Sequence, residues 1–316
     1  MSDSPQLGSP LPVVAGASYD AVPLLKAPVW TWEIPAYFFV GGASGAAAVI
    51  GAIANARGGR PSLVRDARWI AAAGAAVSPP LLISDLGRPE RFLNMLRVFK
   101  VRSPMSIGAW TLVAFSNAAA AAAFADMVHR VSGGRVPVRV MGNAAEVLSA
   151  ATGLVLSTYT GVLIGATTIP AWSRNVGLLP VHFGASGVGA AVSILELLGH
   201  RDRALNAIGI GAAAVETAIG VALEIRDDAA LAPLKEGWSG RVTRAGGLLS
   251  GPVPLALRLF AGRSPNARRL AAVSTIAGSW LTRVGWLAAG RESTKGVLSD
   301  PQHATTECRT GDPSTA

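Results

Sequence analysis

Residues 84–92 read SDLGRPERF, and residues 103–110 read SPMSIGAW. Apolar runs of membrane-spanning length lie on both sides of these two stretches, so the charges of the first stretch stand where a helix leaves the lipid. Charged side chains at such a depth are costly and usually have a partner or a function. The two stretches are therefore the starting point for predicting both the fold and the site.

Composition places the chain among integral membrane proteins. Half of the 316 residues are hydrophobic, 15% are charged, and the mean hydropathy is +0.41. The net charge of +9 comes from lysines and arginines scattered through short segments between apolar runs. That distribution is typical of topology signals, so we predict no nucleic-acid partner.

The apolar segments predict an all-α bundle of eight transmembrane helices, because each is near the length of about 20 residues that crosses the hydrocarbon. The seventh segment is short and contains Pro252 and Pro254, so a broken or re-entrant helix is an alternative there. Residues 225–245 are predicted to be the longest internal loop. The predicted spans are 33–56, 67–84, 104–128, 140–168, 175–199, 203–224, 246–261 and 267–289.

Three regions are predicted along the chain. Residues 1–29 form an extended polar arm, residues 30–290 form the transmembrane domain, and residues 291–316 form a flexible polar tail. No removable signal peptide is visible, so the first helix is expected to direct its own insertion. Lysine and arginine are denser in the short loops of one face, which predicts that this face is cytoplasmic and that both termini lie on the outer face of the cell membrane.

Cysteine and histidine usage argues against a redox group bound within the chain. Cys308 is the only cysteine, whereas an iron–sulfur cluster takes about four ligands. Of the four histidines, His129 and His200 fall at helix ends, His303 falls in the tail, and His182 alone falls inside a span. We therefore predict no haem, no iron–sulfur cluster and no metal site in this chain, and any redox chemistry needs a borrowed cofactor.

Polar residues gather where the first predicted helix begins and the second ends. Glu33 and Tyr37 are four residues apart and share a helix face, with Tyr37 about one turn deeper. Asp85 directly follows the second span and can face them. The alternatives are an interfacial aromatic belt for Trp32 and a solvated helix end for Arg88.

Further ionisable residues lie in or at the ends of the later spans. Glu146 and Glu196 fall towards the predicted cytoplasmic side, Glu216 near mid-membrane and Glu224 at the outer edge. Arg283 lies within the eighth span, and we expect it to pair with Glu216 because such charges need partners inside a bundle. Together, Glu146, Glu196, Glu216 and Arg283 are predicted to form a proton path through the bundle. The alternative is structural ion pairs without transport.

At this point the chain resembles the NrfD/polysulfide reductase membrane-subunit family. The resemblance runs from about residue 30 to about residue 290. It is carried by WEIPAYF at 32–38, GGASG at 41–45, DLGRPERF at 85–92, SPMSIGAW at 103–110, YTGVL at 159–163, and PAW at 170–172 with LP at 179–180.

The resemblance implies a membrane subunit that is not catalytic alone. Such a subunit docks a ferredoxin-like iron–sulfur protein, which connects to a molybdopterin-type catalytic subunit. It exchanges electrons with the membrane quinone pool, menaquinone or ubiquinone, and proton transfer accompanies the exchange. The rival interpretations are a proton-coupled membrane carrier and a purely structural membrane anchor.

The resemblance also implies where the quinone lies. Its site is lined by the start of the first helix, the end of the second helix and a tyrosine of the fourth, which here are Glu33, Tyr37, Asp85 and Tyr159. Where some relatives have His or Asn in the first-helix part of this site, this chain has Tyr37 and Glu33. We assign Asp85, Tyr159 and Glu33 to proton exchange with the quinone. We assign quinone binding to a second group, Tyr37, Trp32, Arg88 and His182.

Overall fold

A computed structural model describes residues 28, 30–88, 90–133 and 136–296. Helices account for nearly all of these ranges, and no strand is present within them, which confirms the prediction of an all-helical protein. Most of the predicted arm, together with His303 and Cys308 in the predicted tail, lies outside the described residues. The last helix continues to Gly296, and the division of the chain into an arm, a transmembrane domain and a tail stays a prediction.

The helices follow one another with short connections. They are α1 Glu33–Ala56, α2 Pro61–Asp85, α3 Glu90–Leu96, α4 Pro104–Val131, α5 Val136–Gly165, α6 Pro170–Ser173, α7 Leu178–Leu197, α8 Arg203–Ile225, α9 Ala232–Lys235, α10 Gly237–Ser250, α11 Pro252–Ala261 and α12 Pro265–Gly296, with a 3-10 turn at Ala229–Leu231 before α9.

Five of these helices are long and apolar enough to cross a membrane: α1, α4, α5, α7 and α8. Several such helices, each with a long apolar stretch, indicate a multi-pass integral membrane protein. The predicted second span falls within α2, the seventh within α10 and α11, and the eighth within α12. For these three the prediction of a membrane crossing stays a prediction.

The predicted seventh span is divided into two helices. Gly251 separates α10 from α11, and Pro252 opens α11, where the missing amide proton of proline is tolerated. The prediction of a loop at 225–245 was wrong, because the 3-10 turn, α9 and most of α10 lie within these residues. The hydropathy of α10 is low because the buried face of this helix consists of small residues. One of them, Gly246, packs closely on α12, since a Cβ added there would lie 2.7 Å from the Thr282 nitrogen.

Helix α1 lies at the centre and packs against α2, α5, α7 and α12. Glycines set its closest approaches, since a Cβ added to Gly45 would lie 2.3 Å from the carbonyl oxygen of Gly153 on α5. A Cβ added to Gly187 on α7 would lie 2.8 Å from the carbonyl oxygen of Gly42. Small residues at these crossings bring polar side chains of neighbouring helices within reach of one another.

Two ends of the bundle are defined by their contacts. At the Asp85 end, where α1 begins and α2 ends, the backbone of Thr31 donates to Asp85. At the Asp66 end, where α2 begins, Asp66 lies 2.8 Å from His200. The largest buried aromatic residues lie towards the Asp85 end, where Trp172 Nε1 donates to the Trp286 carbonyl oxygen at 2.8 Å.

Candidate functional site

A small cavity at the Asp85 end brings together side chains from three helices. Tyr37 comes from α1, Asp85 from the last residue of α2 and Tyr159 from α5. The cavity has a volume of about 80 Å³, and the rest of its wall is mainly apolar. We call it the Tyr37 cavity.

Asp85 is held by a residue that sequence reasoning missed. One of its carboxylate oxygens accepts hydrogen bonds from the backbone nitrogen of Thr31 at 3.0 Å and from the Thr31 hydroxyl at 3.1 Å. A carboxylate at the C-terminal end of a helix faces the unfavourable end of the helix dipole. The two bonds from Thr31 offset that disadvantage and orient the carboxylate at the cavity wall.

Tyr159 links the fourth predicted span to the second of the two opening stretches. Its hydroxyl donates to the carbonyl oxygen of Pro104, and its ring lies against Gly108, where an added Cβ would come within 2.7 Å of the ring. Both Pro104 and Gly108 belong to the stretch at 103–110. The proton of this hydroxyl is therefore already engaged, which leaves its oxygen to accept a bond from a ligand.

Tyr37 is buried like Tyr159, with 3% of its surface exposed, but its hydrogen bonding differs. Among the described residues, none forms a hydrogen bond with its hydroxyl. A buried hydroxyl at a cavity wall gains free energy when a ligand supplies the missing partner. Tyr37 is therefore the hydroxyl best placed to donate to a bound molecule.

Four of the residues predicted for the quinone site do not line this cavity, and one of them, His182, lies in a second cavity described below. Trp32 is 66% exposed, and Arg88 is also exposed. Glu33 is half-buried and lies against the Thr31 hydroxyl, whose one proton is shared between Glu33 and Asp85, beside the cavity but outside its wall. The tryptophan that lines it is Trp30, whose ring stacks on Trp172 with centroids 5.5 Å apart.

A second and larger cavity, of about 330 Å³, lies among α7, α8, α10 and α12. His182 and Glu216 form its inner wall, with His182 Nδ1 3.0 Å from Glu216 Oε1 but not aligned as a hydrogen bond. The other oxygen of Glu216 accepts from the Ser250 hydroxyl at 2.7 Å. We call it the Glu216 cavity. The structure thus places His182 here and not beside Tyr37.

Buried polar atoms in the Glu216 cavity lack hydrogen-bond partners among the described residues. They are His182 Nδ1, Glu216 Oε1 and Thr282 Oγ1. The cavity wall also contains Glu224, Lys235 and Arg244, of which Arg244 pairs with Glu224 at 2.6 Å. Such unpaired atoms beside an open volume are normally satisfied by water or by a ligand.

Arg283 does not form the predicted ion pair with Glu216. It is fully buried and donates to the Ser186 hydroxyl at 2.8 Å and to the carbonyl oxygen of Ser279 at 2.8 Å. The absence of a side chain at Gly42 leaves room for it, since a Cβ there would lie 3.0 Å from the guanidinium. Hydroxyl and carbonyl groups of α7 and α12 thus take the place of the carboxylate.

Glu146 and Glu196 are bound by arginines that the sequence prediction did not name. Glu146 accepts from Arg68 at 2.8 Å, and Glu196 accepts from Arg258 at 2.8 Å and also from Arg268. Both carboxylates are buried, and both lie towards the Asp66 end. These contacts match the alternative of structural ion pairs. Among the described residues, no hydrogen bond joins them to the Glu216 cavity.

In the described part of the chain, no group of three or more His, Cys, Asp or Glu side chains could hold a metal ion. The predicted absence of haem and of an iron–sulfur cluster stays a prediction.

Comparison with known families gives one match. A family model described as Polysulphide reductase, NrfD matches residues 23–286. No curated protein matches the chain. The matched range covers most of the chain, including both opening stretches and both cavities.

Proposed function

The chain belongs to the polysulphide reductase NrfD family, and from that membership and the Tyr37 cavity we propose that it binds a membrane quinone and exchanges electrons between it and an iron–sulfur partner. The family consists of membrane subunits of quinone-reactive oxidoreductase complexes, which typically pair with iron–sulfur and molybdopterin subunits. The observation that carries the proposal is the convergence of Tyr37, Asp85 and Tyr159 on one apolar cavity.

The cavity suits the polar edge of a quinone ring. An apolar wall with a few convergent polar groups is the usual form of a small-molecule site. Its volume of about 80 Å³ is below the roughly 300 Å³ of a pocket that encloses a whole ligand. Met95 and Met105 border it, and their flexible thioether side chains can move to admit the ring.

Each polar group has a separate task in this proposal. The Tyr37 hydroxyl donates to one ring oxygen and orients the ring, whereas the Tyr159 oxygen accepts from a reduced, protonated ring. Asp85 takes up or delivers the proton that accompanies reduction or oxidation, since a carboxylate held within reach of the reacting oxygen is an effective acid or base. Glu33, linked to Asp85 through Thr31, extends this path towards the bundle surface.

The partner is proposed to dock on the segment between α2 and α4. Residues 90–103 expose Leu93, Val98, Phe99 and Val101, which are 53% to 72% accessible. Exposed apolar groups concentrated in this way mark interaction surfaces. Because Met95 of the same segment lines the Tyr37 cavity, a cluster-carrying protein docked there would lie close to the quinone.

The Glu216 cavity is proposed as the protonic part of the same subunit. The His182 and Glu216 side chains face it with atoms that are 3.0 Å apart and form no hydrogen bond, and these atoms can hold a proton between them. Glu146 and Glu196 are left out of this path because arginines bind them. The proposal retains eight membrane crossings within residues 30–290, with the Asp85 end on the outer face of the cell membrane.

The experiment that tests the quinone site is the substitution Asp85→Asn. Asparagine can still accept the two bonds from Thr31 but cannot exchange protons. We expect the rate at which a short-chain quinol reduces the co-purified iron–sulfur centres to fall about a hundredfold or more. The rate is measured by stopped-flow absorbance on the complex isolated in mild detergent.

The matched control is Asp227→Asn, which removes an exposed carboxylate at the same end of the bundle. Its rate should equal that of the unmodified protein, and both variants should retain the same amount of partner. A full rate in Asp85→Asn would refute the assignment of Asp85. Purification without any iron–sulfur protein, repeated under milder solubilisation, would favour the carrier over the quinone subunit.

A further inference from the structure

We propose that an open pocket at the Asp66 end binds the head group of an anionic phospholipid. The pocket lies where α8 begins and where α11 meets α12, and its volume is about 440 Å³. Four arginines line it, namely Arg203, Arg258, Arg263 and Arg268. We call it the arginine pocket, and it has no part in the quinone reaction proposed above.

The arginine pocket has a strong excess of positive charge. Its buried members, Arg258 and Arg268, share the Glu196 carboxylate. Four guanidinium groups against this one carboxylate leave an excess of three positive charges. The nearby Asp202 is engaged by Arg60 at 3.2 Å and does not line the pocket.

Hydrogen-bond donors remain unused at the pocket wall. Arg258 is only 3% exposed, yet its Nε has no hydrogen-bond partner among the described residues. The side chain of Asp202, the N-cap of α8, makes no capping hydrogen bond, and the first turn of α8 contains no acidic residue. An uncapped helix N-terminus beside the guanidinium groups of the pocket wall favours a phosphate oxygen.

A glycine on α8 provides the space that the Arg258 side chain occupies. A Cβ added to Gly209 on α8 would lie 2.7 Å from its guanidinium, so the absence of a side chain at Gly209 lets Arg258 lie across α8 towards Glu196. Arg258 is thereby fixed by two bonds to Glu196, and its enclosed Nε lies towards Gly209 on α8. A guanidinium already held in place loses little entropy when it binds an anion.

The apolar border of the pocket points to a lipid in preference to a soluble phosphate. Leu259 and Phe260 of α11 belong to the pocket wall and are 56% and 89% exposed. Apolar side chains this exposed beside a basic pocket suit contact with acyl chains. A ligand that covers them and also reaches the arginines needs a phosphate and an acyl chain in one molecule, and basic pockets between helix ends are known to select such lipids.

The test compares phosphatidylglycerol with phosphatidylcholine on the delipidated, detergent-solubilised protein by native mass spectrometry. We expect the protein to retain phosphatidylglycerol about tenfold more strongly. The double substitution Arg203→Gln with Arg263→Gln should remove most of this preference, and Arg203→Lys with Arg263→Lys should keep much of it. Both changes affect exposed residues and leave the Glu196 pairs intact.

The matched control is Arg57→Gln with Arg139→Gln, which removes two exposed charges from the same end outside the pocket. It should bind phosphatidylglycerol as the unmodified protein does. Equal retention of the two lipids, or full retention by the Arg203 and Arg263 glutamine variant, would overturn the proposal. Displacement of phosphatidylglycerol by an equal concentration of inorganic or glycerol phosphate would overturn it in favour of a soluble phosphate.

Discussion

Single residues decide how the Tyr37 cavity presents its polar groups. Thr31 donates twice to Asp85 and also contacts Glu33, so one small side chain sets the geometry of two acids. The two cavity tyrosines look alike in sequence but differ in their bonds: Tyr159 donates to the backbone of α4, whereas the Tyr37 hydroxyl has no described partner. Their roles should therefore separate experimentally.

At this scale we predict that Tyr37→Phe lowers the quinol reaction rate and leaves stability unchanged. The loss of one neutral hydrogen bond to the ring corresponds to about 1 kcal/mol, or roughly fivefold in rate. Tyr159→Phe should instead lower the free energy of unfolding by about 1 kcal/mol, because it breaks the bond to Pro104. Quinol kinetics and thermal unfolding in detergent check both variants. Equal effects of the two variants on stability would contradict the distinction.

Helices of this bundle are positioned by small residues as much as by large apolar ones. The contact of α1 with α5 depends on Gly45 and Gly153, and the contact of α10 with α12 depends on Gly246 and Gly278. Burial of apolar surface drives little association within lipid, so close backbone packing and polar bonds take its place. The same close packing lets α10, a helix with few apolar residues, lie within the bundle.

The corresponding prediction is that Gly45→Ala destabilises the fold. Its Cβ would lie 2.3 Å from the Gly153 carbonyl oxygen, so α1 and α5 would have to separate. Overpacking of this kind costs about 1–3 kcal/mol, visible as a lower midpoint of thermal unfolding. The control is Gly211→Ala on α8, where an added Cβ meets nothing within 4 Å and helix propensity alone predicts a neutral or stabilising effect. An unchanged unfolding midpoint for Gly45→Ala would contradict the prediction, because it would show that α1 and α5 separate at little cost in free energy.

At the level of the whole molecule, most carboxylates of the bundle are divided between two ends with different tasks, with the exposed Glu224–Arg244 pair as an exception. At the Asp66 end, carboxylates are tied to cations, as in Glu196 with Arg258 and Glu146 with Arg68. Towards the Asp85 end, Asp85 and Glu216 face cavities and have neutral hydrogen-bond donors. The first arrangement stabilises the bundle, and the second leaves carboxylates able to change their protonation.

This division predicts opposite outcomes for two similar substitutions. Glu196→Gln leaves two arginines near a neutral side chain and should lower the free energy of unfolding by about 3–5 kcal/mol. Glu216→Gln should cost less than about 1 kcal/mol, because an amide can still accept from Ser250, but it should slow proton-coupled quinol oxidation. Chemical unfolding in detergent and proton release from proteoliposomes measure the two effects. Similar losses of stability in both variants would refute the separation of structural from protonic acids.

Local properties of the sequence determined the membrane class, the helical fold and most helix positions, because apolar runs of spanning length are visible without knowledge of their neighbours. They also led to Tyr37 and Asp85, which lie near helix ends, whereas Tyr159 was assigned through the family resemblance. Which partner each buried charge takes was decided only by the tertiary structure. The close approach of Glu216 to His182 and the serine partners of Arg283 depend on how each helix is rotated about its axis and how closely glycines let it approach. The rotation of each helix and its distance from its neighbours depend on contacts between residues far apart in the chain, and the hydropathy of a segment does not reveal these contacts.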